Sequence, residues 1–199
     1  MIYEKTTVLI PIKAFSKAKQ RLSKTLNPSL RHILAIAMAE KVIESVGDLD
    51  LKIVADDQEV IQWTKQHNLD LIISPFENLN KSLQFAFDQL ASTKTTQIVV
   101  VPSDLPLAKN LSEIQFKTGV NIIPDKDLKG TNLLSIPLGK SFKFEYGPNS
   151  FRLHCLQAKN MNLGPNIIRN KNFELDIDTP KDLDQIINCP PWDFLLKNK

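Results

Sequence analysis

Cysteine, histidine and glycine are all scarce in this chain of 199 residues: two, three and six. Cys155 and Cys189 cannot build the disulfide framework of a small secreted domain or a cysteine-rich zinc site. Three histidines support neither a histidine metal cluster nor a catalytic triad. The few glycines match neither the dinucleotide fingerprint nor the Walker phosphate loop. Long apolar runs are missing too; a stretch such as Ile33 to Ala39 falls far short of the ~20 residues that span a bilayer. Charge of one sign is lacking: 25 Lys and Arg against 22 Asp and Glu give a net +3. That is no electrostatic footprint for nucleic acid, and the basic residues form one loop rather than a stripe interleaved with aromatics. Glu4 and Lys5, directly before a strand-like run, do not read as a signal peptide. These absences leave a reduced, soluble, cytoplasmic domain with no membrane or nucleic-acid partner as the expectation.

What is present is ordinary globular material, 42% hydrophobic and 24% charged. A chain of this size buries about 70% of its unfolded surface, enough for a core without disulfides or metals. No repeat, low-complexity tract or long linker divides residues 1–199, so one domain is expected.

Apolar periodicity alternates between two and three-to-four residues along the chain. Strands are expected at Thr7–Ile12, Leu51–Ala55, Leu69–Ser74 and Gln97–Val101. Shorter runs follow at Val120–Ile123, Asn132–Ile136, Phe142–Tyr146, Asn166–Ile168 and Phe173–Ile177. Helices are expected from Pro28 through Val42, at Gln58–His67, Asn78–Leu90 and Ser150–Asn160, and finally at Pro180–Ile187. Strands separated by helices imply right-handed crossovers and an α/β fold, with a mostly parallel central sheet covered by helices on both faces. Ligands of such sheets sit beyond the carboxyl ends of the strands, so the residues just after each strand carry the information.

After the first strand, PIKAFSKAKQRL holds Lys13, Lys17, Lys19 and Arg21 with no acid among them. Such a loop is either solvated surface or, given its position, a place where Lys19 and Arg21 reach phosphate oxygens. Asp104 in PSDLPL ends the most apolar strand between two prolines, as a turn residue or a hard-metal ligand. In ELDIDTPKDL an extended backbone puts Asp176 and Asp178 on one face; two like charges side by side call for a cation between them. Asp178 or Thr179 could instead cap the helix that Pro180 begins. Gly130 and Thr131 stand at a strand entrance, and Gly147, Pro148 and Asn149 precede Ser150 at a helix start, where an anion or an ordinary cap belongs. Asn80 and Ser82 either touch a nucleotide base or ribose or cap their helix. Arg152 and His154 read as surface residues, with His154 alternatively packed. Trp63 and Trp192 are expected to pack, and Cys155 to be a buried thiol. Trp192, Phe194 and Leu195 form an apolar tail that could cover the partner in a homodimer.

PIKAFSKAKQRLS, PSDLPL, GTNLL, YGPNSFRLH and LDIDTPKDL stand in the order and spacing of the CofC-type phospho-carboxylate guanylyltransferases of coenzyme F(420) biosynthesis. The resemblance runs from about Val8 to Leu183. It implies a Rossmann-like nucleotidyltransferase fold of the glycosyltransferase-A kind. It also implies GTP, magnesium (Mg2+) and a small phosphorylated carboxylic acid: 2-phospho-L-lactate, phosphoenolpyruvate or 3-phospho-D-glycerate. By matching position, Asp104, Asp176 and Asp178 would ligate magnesium, and Thr131, Gly147 and Ser150 would hold the acid. Lys13, Lys19 and Arg21 would face the triphosphate, with Asn80 near the nucleotide. Three positions depart from the common pattern: PFENLN lacks a glycine, Asn149 stands where glycine is frequent, and Tyr146 where phenylalanine is.

The chemistry expected is attack by a substrate phosphate oxygen on the α-phosphorus of GTP. A phosphate dianion is already a nucleophile, so alignment and charge neutralisation suffice, with no general base. The rival readings are a nucleotidyltransferase of the same fold acting on a sugar phosphate or molybdopterin, and a non-catalytic nucleotide-binding module. The first should carry a glycine-rich first loop, which is missing; the second needs no paired carboxylates.

Overall fold

The structure, a computed structural model, describes residues 5–196; Glu4, used above against a signal peptide, lies outside the described residues. Seven strands form one sheet: β1 (Lys5–Pro11), β2 (Asp50–Ala55), β3 (Leu71–Ile73), β4 (Thr95–Val100), β5 (Val120–Pro124), β6 (Thr131–Pro137) and β7 (Pro165–Ile167). Their order is β3-β2-β1-β4-β6-β5-β7. Only β6 runs against its neighbours, β4 and β5; the other adjacent pairs are parallel. The expected α/β fold with a mostly parallel sheet is what forms.

Parallel neighbours need crossovers, and helices supply them. α1 (Pro28–Val46) joins β1 to β2, α2 (Gln58–Gln66) joins β2 to β3, and α3 (Leu79–Leu90) joins β3 to β4. Each begins on a side-chain cap: Asn27 accepts from the Leu30 amide, Asp57 from Glu59 and Val60, and Asn78 from Lys81. α4 (Ser150–Asn160) precedes β7, and α5 (Pro180–Leu183) follows.

Strand alternation divides the core. Val8, Ile10, Ile53, Ala55 and Val99 face α1 and α2; Leu9, Val54, Ile98, Val100 and Leu134 face α3 and α4. Helices thus cover both faces. A third cluster sets Leu30, Leu34 and Met38 of α1 against Leu175, Ile177, Ile186, Trp192 and Leu195. This corrects the reading of the tail. Trp192 and Leu195 are buried on their own chain's first helix, so they offer no apolar face to a second copy. Among the described residues no helix is long and apolar enough to cross a membrane.

Two expected strands are absent. Phe142–Tyr146 is irregular, and so is Phe173–Ile177. The latter hydrogen-bonds across the ends of two strands rather than beside one: the Lys126 amide donates to the Glu174 carbonyl (2.9 Å), and the Ile177 amide to the Asp104 carbonyl (3.3 Å). Single bonds to different partners make no ladder. The last helix is also shorter than Pro180–Ile187, because turns replace it after Leu183.

Candidate active site

A cavity of about 590 Å³ opens at the carboxyl ends of β1, β2 and β4. Its wall is the loop from Pro11 to Lys19, Asp56–Gln58 after β2, Pro102–Asp104 after β4, the start of α3, and Tyr146. β1 lies between β2 and β4, where successive connections leave in opposite directions along the sheet, the usual ligand crevice of such folds.

Lys13 stands two residues beyond β1, and its ammonium is ion-paired with Asp56 just after β2. It also donates to the Ser82 hydroxyl at 3.2 Å and the Phe76 carbonyl at 3.4 Å. Asp56 was not singled out from the sequence; parallel pairing of β1 and β2 is what sets it beside Lys13.

Lys19 adopts a left-handed backbone, φ 54°, between the 3-10 turns at Phe15–Lys17 and Gln20–Leu22. This turns its side chain inward, leaving only 8% of it exposed. Its Nζ donates to Asp104 Oδ2 at 2.7 Å and to Asp178 Oδ1 at 3.4 Å, while Arg21 donates to Asp178 Oδ2 at 3.0 Å. Burial by itself would lower the Lys19 pKa, but Asp104, with Asp178 and Asp176, outweighs it and raises the value. Asp176 is pushed up to about 6, first by burial and then by the Asp104 and Asp178 charges. Asn132, which the sequence reading passed over, points Nδ2 at Asp176 Oδ1 (3.5 Å).

Acids from two distant stretches of the chain, Asp104 and the Asp176/Asp178 pair, therefore share one electrostatic neighbourhood with two of the expected cations. The cation between Asp104 and Asp178 is the Lys19 ammonium. Among the described residues no three His, Cys, Asp or Glu side chains are set to hold one metal ion. The donor chemistry still suits magnesium, which takes one or two carboxylates and fills its octahedron with phosphate oxygens and water.

The segment carrying Asp176 and Asp178 is fastened by Asp182. Its Oδ2 accepts from the Thr179 amide (2.8 Å), the Thr179 hydroxyl (2.7 Å) and the Asp178 amide (3.3 Å), and its Oδ1 pairs with Lys126. The Thr-x-x-Asp spacing ahead of an apolar stretch was the available signal. Asp178 caps nothing; Thr179 is the cap residue of α5.

Of the residues expected to contact the acid, Thr131 opens β6, Ser150 opens α4 and Gly147 lies in the loop just before α4; none of the three lines the cavity. Gly130 precedes Thr131 because its amide sits 2.7 Å from Asp125 Oδ2; a Cβ there would also meet that oxygen at 2.7 Å. Asn149, not Ser150, occupies the cap position of α4, in the left-handed region (φ 61°). Asparagine tolerates that conformation, which accounts for its presence where a glycine would also serve. Ser150 is the first helical residue, buried, and its amide donates to the Gly147 carbonyl at 3.1 Å. Asn80 clasps the Tyr146 backbone at both ends: Nδ2 donates to the carbonyl (3.0 Å) and Oδ1 accepts from the amide (2.7 Å). Its amide group is thereby committed to the cavity wall, as is Ser82 to Lys13 and Phe76. Arg152 is exposed, His154 is fully buried, Trp63 packs edge-on against Phe15, and Cys155 is half-buried rather than buried.

Residues 6–189 match the family described as "Guanylyl transferase CofC like". The chain belongs to this family. Among its relatives, a 2-phospho-L-lactate guanylyltransferase of Methanocaldococcus jannaschii is 28% identical, over 92% of this chain and 82% of that protein. A phosphoenolpyruvate guanylyltransferase of Roseiflexus castenholzii is 29% identical over 88% and 84%. Among solved structures, a nucleotidyl transferase from Methanothermobacter thermautotroptrophicus superposes with a TM-score of 0.60 at 13% identity, covering 98% of this chain and 99% of that one. At that identity the likeness establishes the fold, a nucleotidyltransferase fold.

Proposed function

We propose that this protein transfers GMP from GTP to a small phosphorylated carboxylic acid, releasing pyrophosphate, as a cytoplasmic step in coenzyme F(420) biosynthesis. The observation that carries the reading is the meeting of Lys13, Lys19 and Asp104 in the wall of one cavity, with Arg21, Asp176 and Asp178 tied to them. The acids named in the relatives, 2-phospho-L-lactate and phosphoenolpyruvate, are candidate substrates, with 3-phospho-D-glycerate as a third.

A phosphate oxygen of the acid attacks the α-phosphorus of GTP. The new bond is P–O–P to the acid, and the bond from the α-phosphorus to the bridging oxygen breaks as pyrophosphate leaves with its electron pair. Two anions must approach each other, so Lys13, Lys19 and Arg21 screen the triphosphate and take up the charge of the leaving group. Thr131, the Gly147 backbone and Ser150 hold the acid's phosphate and carboxylate. Asp104 and Asp178, with Asp176 behind them, would hold magnesium. Bound there, the ion supplies charge neutralisation at the phosphate oxygens. Lys19 must give up one or both carboxylates to it, and the freed ammonium then serves the phosphates.

The test is incubation with GTP, magnesium chloride and each of the three acids in turn, scored by pyrophosphate release, with ATP in parallel. Release that requires one acid and GTP supports the reading. No release with any acid, or equal release with ribose or hexose phosphates, overturns it.

A further inference from the structure

His154 is the one histidine buried completely. It lies on α4 four residues after Ser150, hence on the same helix face, and both side chains are buried. Its Nε2 lies 3.1 Å from the backbone amide of Glu145, and its Nδ1 lies 3.0 Å from Thr131 Oγ1. An amide can only donate, so Nε2 must present its lone pair. Burial holds the ring neutral by lowering its pKa to about 4, so the single ring proton sits on Nδ1. Nδ1–H then donates to the Thr131 oxygen, and the Thr131 hydroxyl keeps its own proton for another acceptor. The ring is walled in by Tyr146, edge-on at 5.0 Å, and Phe142 at 5.8 Å.

We infer that His154 is the positioning residue of the acid-binding site, locking the Thr131 hydroxyl as a donor while pinning the backbone that leads into Gly147. Two consecutive amides of that backbone are held by side chains, Glu145 by His154 and Tyr146 by Asn80. The three groups assigned to the acid therefore converge on one imidazole: Thr131 by direct contact, Gly147 through the pinned segment, and Ser150 through the shared helix face. Lys13 and Lys19 make none of these contacts, and Tyr146, which shares their cavity, is held at its backbone by Asn80 independently of His154, so the effect of His154 falls on the acid rather than on GTP. The inference rests on the assignment of Thr131 to the acid made above.

The experiment is a double-mutant cycle with phosphoenolpyruvate and 2-phospho-L-lactate as probes, reading KM for the acid and KM for GTP separately. His154→Gln reaches the Glu145 amide with an acceptor but removes the donor to Thr131. It should raise the acid KM about tenfold or more while GTP KM stays within about twofold, as the loss of one hydrogen bond to a charged ligand predicts. Thr131→Val should do the same, and the double variant should be no worse than Thr131→Val alone. A single-variant effect confined to Thr131→Val, or effects that multiply in the double variant, overturns the His154 role and leaves the acid site standing. An unchanged acid KM in Thr131→Val removes Thr131 from the site and takes this inference with it. Independently of any variant, the ring ¹⁵N shifts of the native protein should report the Nδ1-protonated neutral form; the Nε2-protonated form overturns the inference even if His154→Gln does not fold.

Discussion

Replacing Lys19 by Met removes one charge from the centre of the acidic cluster while keeping the aliphatic stem and the same backbone strain. In the native chain this ammonium is 2.7 Å from Asp104 and 3.4 Å from Asp178. Without it Asp104 loses its one ion-pair partner among the described residues, and the mutual repulsion of Asp104, Asp178 and Asp176 is opposed only by the exposed Arg21 guanidinium on Asp178. Orphaning a fully buried partner costs about 3–5 kcal/mol. Here Asp104 keeps 29% of its side chain in water and Asp178 keeps 46%, so solvent screening cuts the loss to about 1–3 kcal/mol. Urea unfolding at about pH 7.5 without magnesium should show that loss as a lower midpoint with an unchanged slope. Millimolar magnesium chloride should then stabilise Lys19→Met more than the native protein, because the ion no longer competes with an ammonium for the same oxygens. Pyrophosphate release should fall in both conditions, since the lysine is also needed at the phosphates. Equal midpoints without magnesium, or equal stabilisation of both proteins by it, would refute the idea that Lys19 holds a cation position.

Other perturbations probe the supports of the site. His154 is held neutral with a folded pKa of about 4 against 6.5 unfolded, so the unfolded chain takes the proton first as pH falls. The stability it contributes is complete above pH 6.5 and is lost between about 6.5 and 4, at a total of about 3 kcal/mol; His154→Gln should lack that slope, and parallel urea midpoints across the range would contradict the assignment. Asp182→Asn orphans Lys126 and weakens three hydrogen bonds at Thr179 and Asp178, for a loss of about 2–3 kcal/mol and a lower kcat as Asp178 loosens. A thermal midpoint like the native one would remove Asp182 from that role. Trp192→Ala opens a cavity against α1 and should cost about 3–5 kcal/mol. Because the contact is within one chain, the midpoint should not depend on protein concentration; a concentration-dependent midpoint would return the tail to a subunit interface.

The site was legible in proportion to how local its causes are. Lys13 and Asp104 could be placed because each comes within a few residues of the end of a strand whose apolar run is plain. Asp176 and Asp178 were read onto one face from a period of two, and they share one although no strand forms, since Leu175 and Ile177 still turn into the third cluster. Ser150 was read as a cap, but a preceding asparagine able to hold a left-handed backbone took that place. Asp56, Asn132, Asp182 and His154 carried no usable local signal beyond one Thr-x-x-Asp spacing. Each matters through a partner between 3 and 56 positions away.

Alternating apolar periods, helix caps and strand-end polar residues determined, from the sequence alone, an α/β sheet and which loops meet at its carboxyl edge. Such patterns act over a few residues and leave their mark in one stretch of chain. Which cation lies between the acids, which side of His154 bears the proton, and whether the tail covers α1 or another molecule were decided by tertiary packing. Those outcomes depend on distances between residues remote in sequence and on the water excluded around them.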